Sequence, residues 1–251
     1  MKTIVRIIAI ASIAVVFAQC SFLVGREAMH TTYYPGTGKG ETLVVLLPTI
    51  GGDGSHYEDQ GLMEEVRTRS ASVDVVALDI KPELYLAGEI VEILRSEVIT
   101  PAKDKGYQLI ILVGTSLGGH GALLYATQYP EDVGGLFLFS PFISGPLPTR
   151  AIREAGGLDR WEDCPFLAWE HSCNLWKALK DYLADSKRRA HVFLGYGTED
   201  RFADECRVLG ESLPPQNVFT VRGGHDWKTW KALWTKVGKY VDVARPFQRG
   251  R

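Results

Sequence analysis

The chain has 251 residues, 45% of them hydrophobic, and a formal net charge of -2. One domain of this length buries about three quarters of the surface that its unfolded chain exposes, so a single large core is expected. With no basic excess to neutralise phosphates, nucleic-acid binding is excluded as a main role, and Lys187-Arg188-Arg189 reads as a solvated surface turn.

Residues 1–25 read as a targeting segment. Lys2 and Arg6 supply a positive start, and Ile7 to Ala18 is an uncharged apolar run of signal-sequence length, short for a membrane span. The uncharged stretch runs on to Gly25, which leaves an uncleaved membrane anchor open. Ala18-Gln19-Cys20 resembles a bacterial lipoprotein processing site with Cys20 as the lipidated residue, although Gln19 is not the small residue such sites favour. The expectation is export to the cell envelope, membrane-attached or else periplasmic or secreted. In an oxidising compartment Cys164 and Cys173 can pair across a short loop; the alternative is that they and Cys206 stay reduced and buried.

From Glu41 onward, short apolar runs alternate with helical patterns. Strands are expected at Leu43 to Leu47, Val73 to Leu78, Leu109 to Val113, Leu136 to Phe139, His191 to Leu194 and Val218 to Val221. Their continuous apolar character is that of strands buried on both faces. Helices are expected at Glu58 to Thr68, Ala87 to Val98, Leu117 to Gln128, Ala203 to Ser212 and Asp226 to Ala244. This alternation predicts an α/β fold, with a mostly parallel sheet and helices on both faces. The interval from Pro141 to about Ala190 breaks the rhythm. It holds prolines, Trp161, Phe166 and Trp169, and a helical stretch from Leu175 to Ala184, and reads as a lid-like insertion or as ordinary helical packing.

Gly114-Thr115-Ser116-Leu117-Gly118 matches G-x-S-x-G. The motif alone is common. Its place, directly after the LIILV run and before a helical pattern, gives it the strand–turn–helix setting that exposes a serine hydroxyl at a sheet edge. A helix N-terminus beneath that hydroxyl favours developing negative charge. Ser116 is the candidate nucleophile.

The segment Gly114 to Gly119 resembles the nucleophile elbow of the α/β-hydrolase superfamily, and Gly223-Gly224-His225-Asp226-Trp227 with Trp230 resembles the histidine segment of its esterase D-like carboxylesterases. The resemblance spans about Glu41 to Tyr240. It implies an α/β-hydrolase domain over residues 30–251 and the chain order nucleophile, acid, histidine. It makes His225 the base and Asp200 the acid, with Glu199 and Asp204 as neighbours that substitute if the loop is offset. Among the other histidines, His30 precedes the sheet, His191 opens a strand, and His120 lies one turn after Ser116 in a packing or supporting role. His56, Trp227 and His171 are possible pocket residues, and Trp161, Trp169 and Trp230 are open to either a pocket or a core role.

An oxyanion hole needs two fixed N–H donors. The resemblance assigns one to Leu117 and the other to the loop after the first buried strand, Pro48 to Gly54. Pro48-Thr49 stands where many relatives carry His-Gly. Aligning the two pairs puts the donor at Ile50, with Gly51 as the alternative. No metal-ligand constellation and no phosphate loop is present, so neither metal nor cofactor is expected. The expected function is a serine hydrolase acting on a small-molecule acyl substrate. The alternatives are an envelope acyltransferase using the same residues, and a non-catalytic binding module on this fold.

Overall fold

The computed structural model describes residues 29–240, apart from 38, 39, 70, 71, 87, 163 and 165–169. The expected targeting segment, Cys20, Phe166 and Trp169 lie outside the described residues, as does the side chain of His171. No helix among the described residues is long and apolar enough to cross a membrane.

The chain runs β1 (Met29–Tyr34), β2 (Thr42–Leu47), α1 (Ser55–Asp59), α2 (Leu62–Arg69), β3 (Asp74–Ile80), α3 (Pro82–Leu86) and α4 (Ile90–Ile93). A π-helical turn (Leu94–Ile99) joins α4 to α5 (Thr100–Asp104). Then come β4 (Leu109–Thr115), α6 (Leu117–Gln128), β5 (Gly135–Phe139), α7 (Pro146–Glu154), α8 (Glu170–Ala184), α9 (Ser186–Ala190) and β6 (Val192–Gly197). The last elements are α10 (Ala203–Glu211), β7 (Val218–Val221) and α11 (Trp227–Tyr240). The strands form one seven-stranded sheet in the order β1-β3-β2-β4-β5-β6-β7. β1 is antiparallel to β3, and the other pairings are parallel.

The apolar runs are continuous because each strand feeds two cores. In β2, Leu43, Val45 and Leu47 join Leu94, Leu123, Trp176 and Leu209 on one face. Val44 and Leu46 join Tyr57, Met63, Trp230 and Leu233 on the other. Helices α1, α2 and α11 therefore cover one face, while α4 to α8 and α10 cover the opposite one. That is the expected mostly parallel sheet with helices on both faces.

Four local features differ from the sequence reading. First, His30 does not precede the sheet but lies in β1, its antiparallel edge strand, pairing with Asp79. Second, the helix expected from Glu58 to Thr68 is two helices. They break at Gly61, whose φ of 75° is left-handed. Third, the helix expected to end at Val98 continues to Asp104 past Pro101. A proline in a helix clashes with the carbonyl four residues back. The wider π turn, in which Thr100 N–H reaches back to Arg95 O, accommodates the ring. Fourth, the proline-rich start of the insertion is helical. Pro146 and Pro148 fall in the first turn of α7, where a missing N–H breaks no intrahelical bond.

Ile152, Leu158, Trp161, Trp176 and Leu179 of the insertion are buried in the core. Trp161 is thus a core residue and not a pocket wall. Cys164 and Cys173 form a disulfide, and Cys206 is free and buried. The basic run Lys187 to Arg189 lies in α9, where Arg188 pairs with Glu131.

Candidate active site

The strand order reverses between β2 and β4. In open α/β sheets such a reversal is where ligands bind, outside the C-terminal ends of the strands. Ser116 follows the C-terminal end of β4, and the Pro48 to Gly54 loop follows that of its neighbour β2.

Ser116 has φ 54° and ψ -115°, a strained conformation for a residue with a Cβ. Three backbone bonds hold it there. Its N–H donates to Phe139 O at 2.9 Å, and its carbonyl accepts from His120 N–H at 3.2 Å and Phe142 N–H at 3.1 Å. The flanking glycines are a steric requirement. A Cβ at Gly114 would overlap the backbone of Gly118 and Gly119, and one at Gly118 would overlap the backbone of Leu47 and Pro48. The second overlap also shows that the loop after β2 lies against the start of α6.

His225 sits on the loop between β7 and α11. Its Nε2 lies 2.8 Å from Ser116 Oγ, and its Nδ1 lies 2.9 Å from both carboxylate oxygens of Asp200. The imidazole is wedged edge-on between Phe202 (4.8 Å between centroids) and Trp230 (5.0 Å). The acid and histidine loops are joined by backbone bonds: Thr198 N–H donates to Val221 O, and Glu199 N–H to Gly223 O, both at 2.9 Å.

The Asp200 side chain is fully buried. Burial by itself raises its pKa, but hydrogen bonds from His225 and from Phe202 N–H (2.8 Å) outweigh burial and leave the pKa below the ordinary carboxylate value. The Ser140 side chain also favours the carboxylate, although its hydroxyl falls outside hydrogen-bonding geometry. A depressed carboxyl pKa contributes stability that is present above the ordinary range and is lost as pH falls below it. The two neighbouring carboxylates point elsewhere. Glu199 pairs with Arg222, and Asp204 with Arg153 and Arg207.

The loop after β2 turns sharply, with Gly52 N–H donating to Thr49 O at 3.0 Å and Gly51 at φ 69°. This places Ile50 at the second position of a type II-like turn, where the residue is 58% exposed. Leu117 is the first residue of α6, where backbone N–H groups have no intrahelical acceptor. His56 follows the turn. Its Nδ1 accepts from Asp53 N–H at 3.1 Å, which leaves Nε2 as the protonated nitrogen of the neutral ring. Its ring lies 5.9 Å from Trp227, which in turn meets Tyr57 and Trp230 edge-on. Tyr57, fully buried, donates to Leu47 O at 2.7 Å and meets Thr115 Oγ1 at 3.0 Å, tying the ends of β2 and β4 together.

His120 packs against Phe142, and burial lowers its pKa from 6.5 to about 4. It is neutral at pH 7, in keeping with packing and not acid–base work. Between pH 6.5 and 4 the unfolded chain therefore takes up a proton that the folded state excludes, and stability falls as pH falls through that window. We expect the urea midpoint of the native protein to drop between pH 7 and pH 5, and His120→Gln to remove part of that drop. The upper bound is about 1.4 kcal/mol per pH unit. An unchanged pH dependence in the variant would refute the assignment.

Four residues at the site carry no sequence motif. Ser140, at φ 45°, directly follows β5 and lies beside Asp200. Phe142 meets Phe202 at a tilt and Phe202 meets His225 edge-on, and Glu205 holds the loop after β5. The available signal was positional: Ser140 and Phe142 follow the C-terminal end of the strand next to β4. Among the described residues no group of three or more His, Cys, Asp or Glu side chains is placed to hold a metal ion.

A family model, Esterase (“Putative esterase”), matches residues 38–237. The 2-hydroxy-6-oxononadienedioate/2-hydroxy-6-oxononatrienedioate hydrolase of Paraburkholderia phymatum is 30% identical over 138 residues, covering 51% of this chain and 48% of that protein. The chain spans about half the length of the curated relatives it matches. Among solved structures, the alpha/beta hydrolase MGS-MChE2, from a sediment metagenome of the Mar Chica lagoon, Morocco, superposes with TM-score 0.56 at 21% identity. That match covers 84% of this chain and 92% of the other. The S-formylglutathione hydrolase of Staphylococcus aureus gives TM-score 0.53 at 14% identity, over 83% and 82%. At such identities these structures speak for the fold alone. The family match over 38–237 and the α/β-hydrolase fold that carries it place this chain in the Esterase family.

Proposed function

We propose that this protein is a serine hydrolase that cleaves a carboxylic ester, thioester or amide through an acyl-enzyme on Ser116. The observation that carries this reading is the hydrogen-bonded chain Ser116 Oγ–His225–Asp200, with links of 2.8 and 2.9 Å. A serine hydroxyl is a weak nucleophile at neutral pH and needs a base within hydrogen-bond reach. His225 Nε2 takes the Ser116 proton as Oγ attacks the carbonyl carbon. Asp200 accepts a hydrogen bond from Nδ1–H, fixes the tautomer and stabilises the imidazolium. His225 then returns the proton to the leaving group. Water, deprotonated by the same nitrogen, releases the acid and regenerates Ser116.

In this reading the N–H groups of Leu117 and Ile50 hold the oxyanion. Proline fits the second position of the Thr49–Gly52 turn and removes only the N–H there. Ile50→Pro is therefore expected to lower kcat by about 10²- to 10³-fold, with little loss of stability, since one oxyanion donor is worth that much. Full kcat in a folded Ile50→Pro protein would move the donor to Gly51.

Export to the cell envelope belongs to the same proposal. The Cys164–Cys173 disulfide supports an oxidising compartment, and the apolar run Ile7 to Ala18 supports a targeting segment. The central test is labelling of the native protein by a fluorophosphonate, with mass spectrometry of the adduct. Modification at Ser116, together with release of the free acid from p-nitrophenyl esters, is the expected result. No adduct on Ser116 would overturn the reading, and transfer to an added alcohol in place of water would make the protein an acyltransferase.

A further inference from the structure

Glu205, in the first turn of α10, is 4% exposed. Its carboxylate is occupied by three consecutive backbone N–H groups. Oε2 accepts from Ile143 at 2.8 Å and Ser144 at 3.0 Å, and Oε1 accepts from Gly145 at 2.8 Å. Consecutive N–H groups pointing into one concavity form an anion-binding nest, and here the anion is supplied by the chain itself. Gly145, at φ 98°, gives the loop the backbone conformation this needs.

The two segments tied by this clamp are the ones that frame His225. On one side, Glu205 lies five residues after Asp200. The turn between them is closed by Ala203 N–H to Asp200 O (3.0 Å) and Phe202 N–H to Asp200 Oδ1 (2.8 Å). On the other side, the clamped residues follow Phe142, whose N–H donates to Ser116 O at 3.1 Å. The rings close the circuit. Phe142 meets Phe202 at 5.4 Å, and Phe202 meets His225 at 4.8 Å. Burial raises the Glu205 pKa, while the three N–H groups favour its carboxylate form.

We infer that Glu205 is a positioning residue for catalysis: by clamping the Ile143–Gly145 backbone it fixes Phe142 against Phe202 and thereby sets the His225 imidazole between Ser116 and Asp200. The inference rests on the serine-hydrolase reading above. It concerns the alignment of the base and not the binding of substrate, so its signature is in kcat. A misplacement of about 1 Å at a reacting group costs on the order of 10²-fold in rate.

Glu205→Gln keeps the shape of the side chain and turns one acceptor into a donor facing an N–H. The full chain carrying this change is assayed with a p-nitrophenyl ester, and rates are normalised to the Ser116 sites titrated by fluorophosphonate. The expected result is a kcat per titrated site lower by about 10- to 100-fold, with KM unchanged within about threefold. Phe202→Leu is expected to lower kcat as well. The double variant Glu205→Gln/Phe202→Leu should be no slower than the worse single variant, because both act through one ring. Wild-type kcat per titrated site, a change confined to KM, or multiplicative losses in the double variant would each overturn the inference. If Glu205→Gln does not fold, Phe142→Leu leaves the carboxylate in place and is judged by the same criteria. Absence of a Ser116 adduct in the native protein would instead refute the underlying hydrolase reading, so the two failures are distinguishable.

Discussion

Ser116→Ala is expected to reduce ester turnover by about a million-fold while leaving the protein folded. The magnitude is that of losing a triad nucleophile, after which only binding and oxyanion stabilisation remain. The geometry makes the variant a clean one. The Ser116 side chain contributes a hydrogen bond to His225 Nε2, whereas the strained backbone is held by Phe139, His120 and Phe142 through main-chain atoms that alanine retains. Thermal denaturation should therefore shift little, and fluorophosphonate labelling should disappear. Hydrolysis at the native rate in the variant would remove Ser116 from the mechanism, whatever the similarity of the surrounding motif.

The second large effect is expected at Asp200. Asp200→Asn should lower kcat by about 10⁴-fold. In the proposed mechanism the carboxylate accepts a hydrogen bond from the Nδ1–H of His225, which leaves Nε2 to take the proton of Ser116. Asparagine can turn its NH₂ toward Nδ1. The neutral imidazole then carries its proton on Nε2, pointing it at the hydroxyl it should deprotonate. The protein-wide cost is small by comparison, because Phe202 N–H can still donate to the amide oxygen. Glu199→Gln is the control one residue away. Glu199 lies at the surface with Arg222, so its loss should change kcat by less than about twofold, as for an exposed pair of little energetic worth. Comparable losses in the two variants would show that the loop, and not the Asp200 carboxylate, was being disturbed.

The central strands were legible because burial on both faces leaves no polar alternation. Leu43 to Leu47 and Leu109 to Val113 read as strands for the reason that makes them core. β1 was not legible. His30, Thr31, Thr32 and Tyr33 are exposed, and the segment pairs on one side only, so it has neither a continuous apolar run nor a covered face. The α7 helix was hidden by Pro146 and Pro148. Proline is readily accommodated in a helix's first turn and is disruptive in a regular helix interior, and only the structure places the first turn there.

At the site, the sequence by itself determined what local steric and chemical necessity dictates. Gly114 and Gly118 are required where a Cβ would strike backbone, Ser116 stands between a buried strand and a helix, and Asp200 and His225 follow the last two strands in order. Only the tertiary structure decided among residues whose local signals are equal. Asp200, Glu199 and Asp204 are three carboxylates within six positions, and one of them is buried against His225 while the other two face arginines. Glu205 reads locally as an acidic residue in a helix's first turn. Its role exists only because the loop from Ile143 to Gly145, sixty residues earlier in the chain, brings three backbone N–H groups to it. Hydrogen-bond donors of that kind belong to the main chain of every residue, so their convergence leaves no mark on side-chain identity.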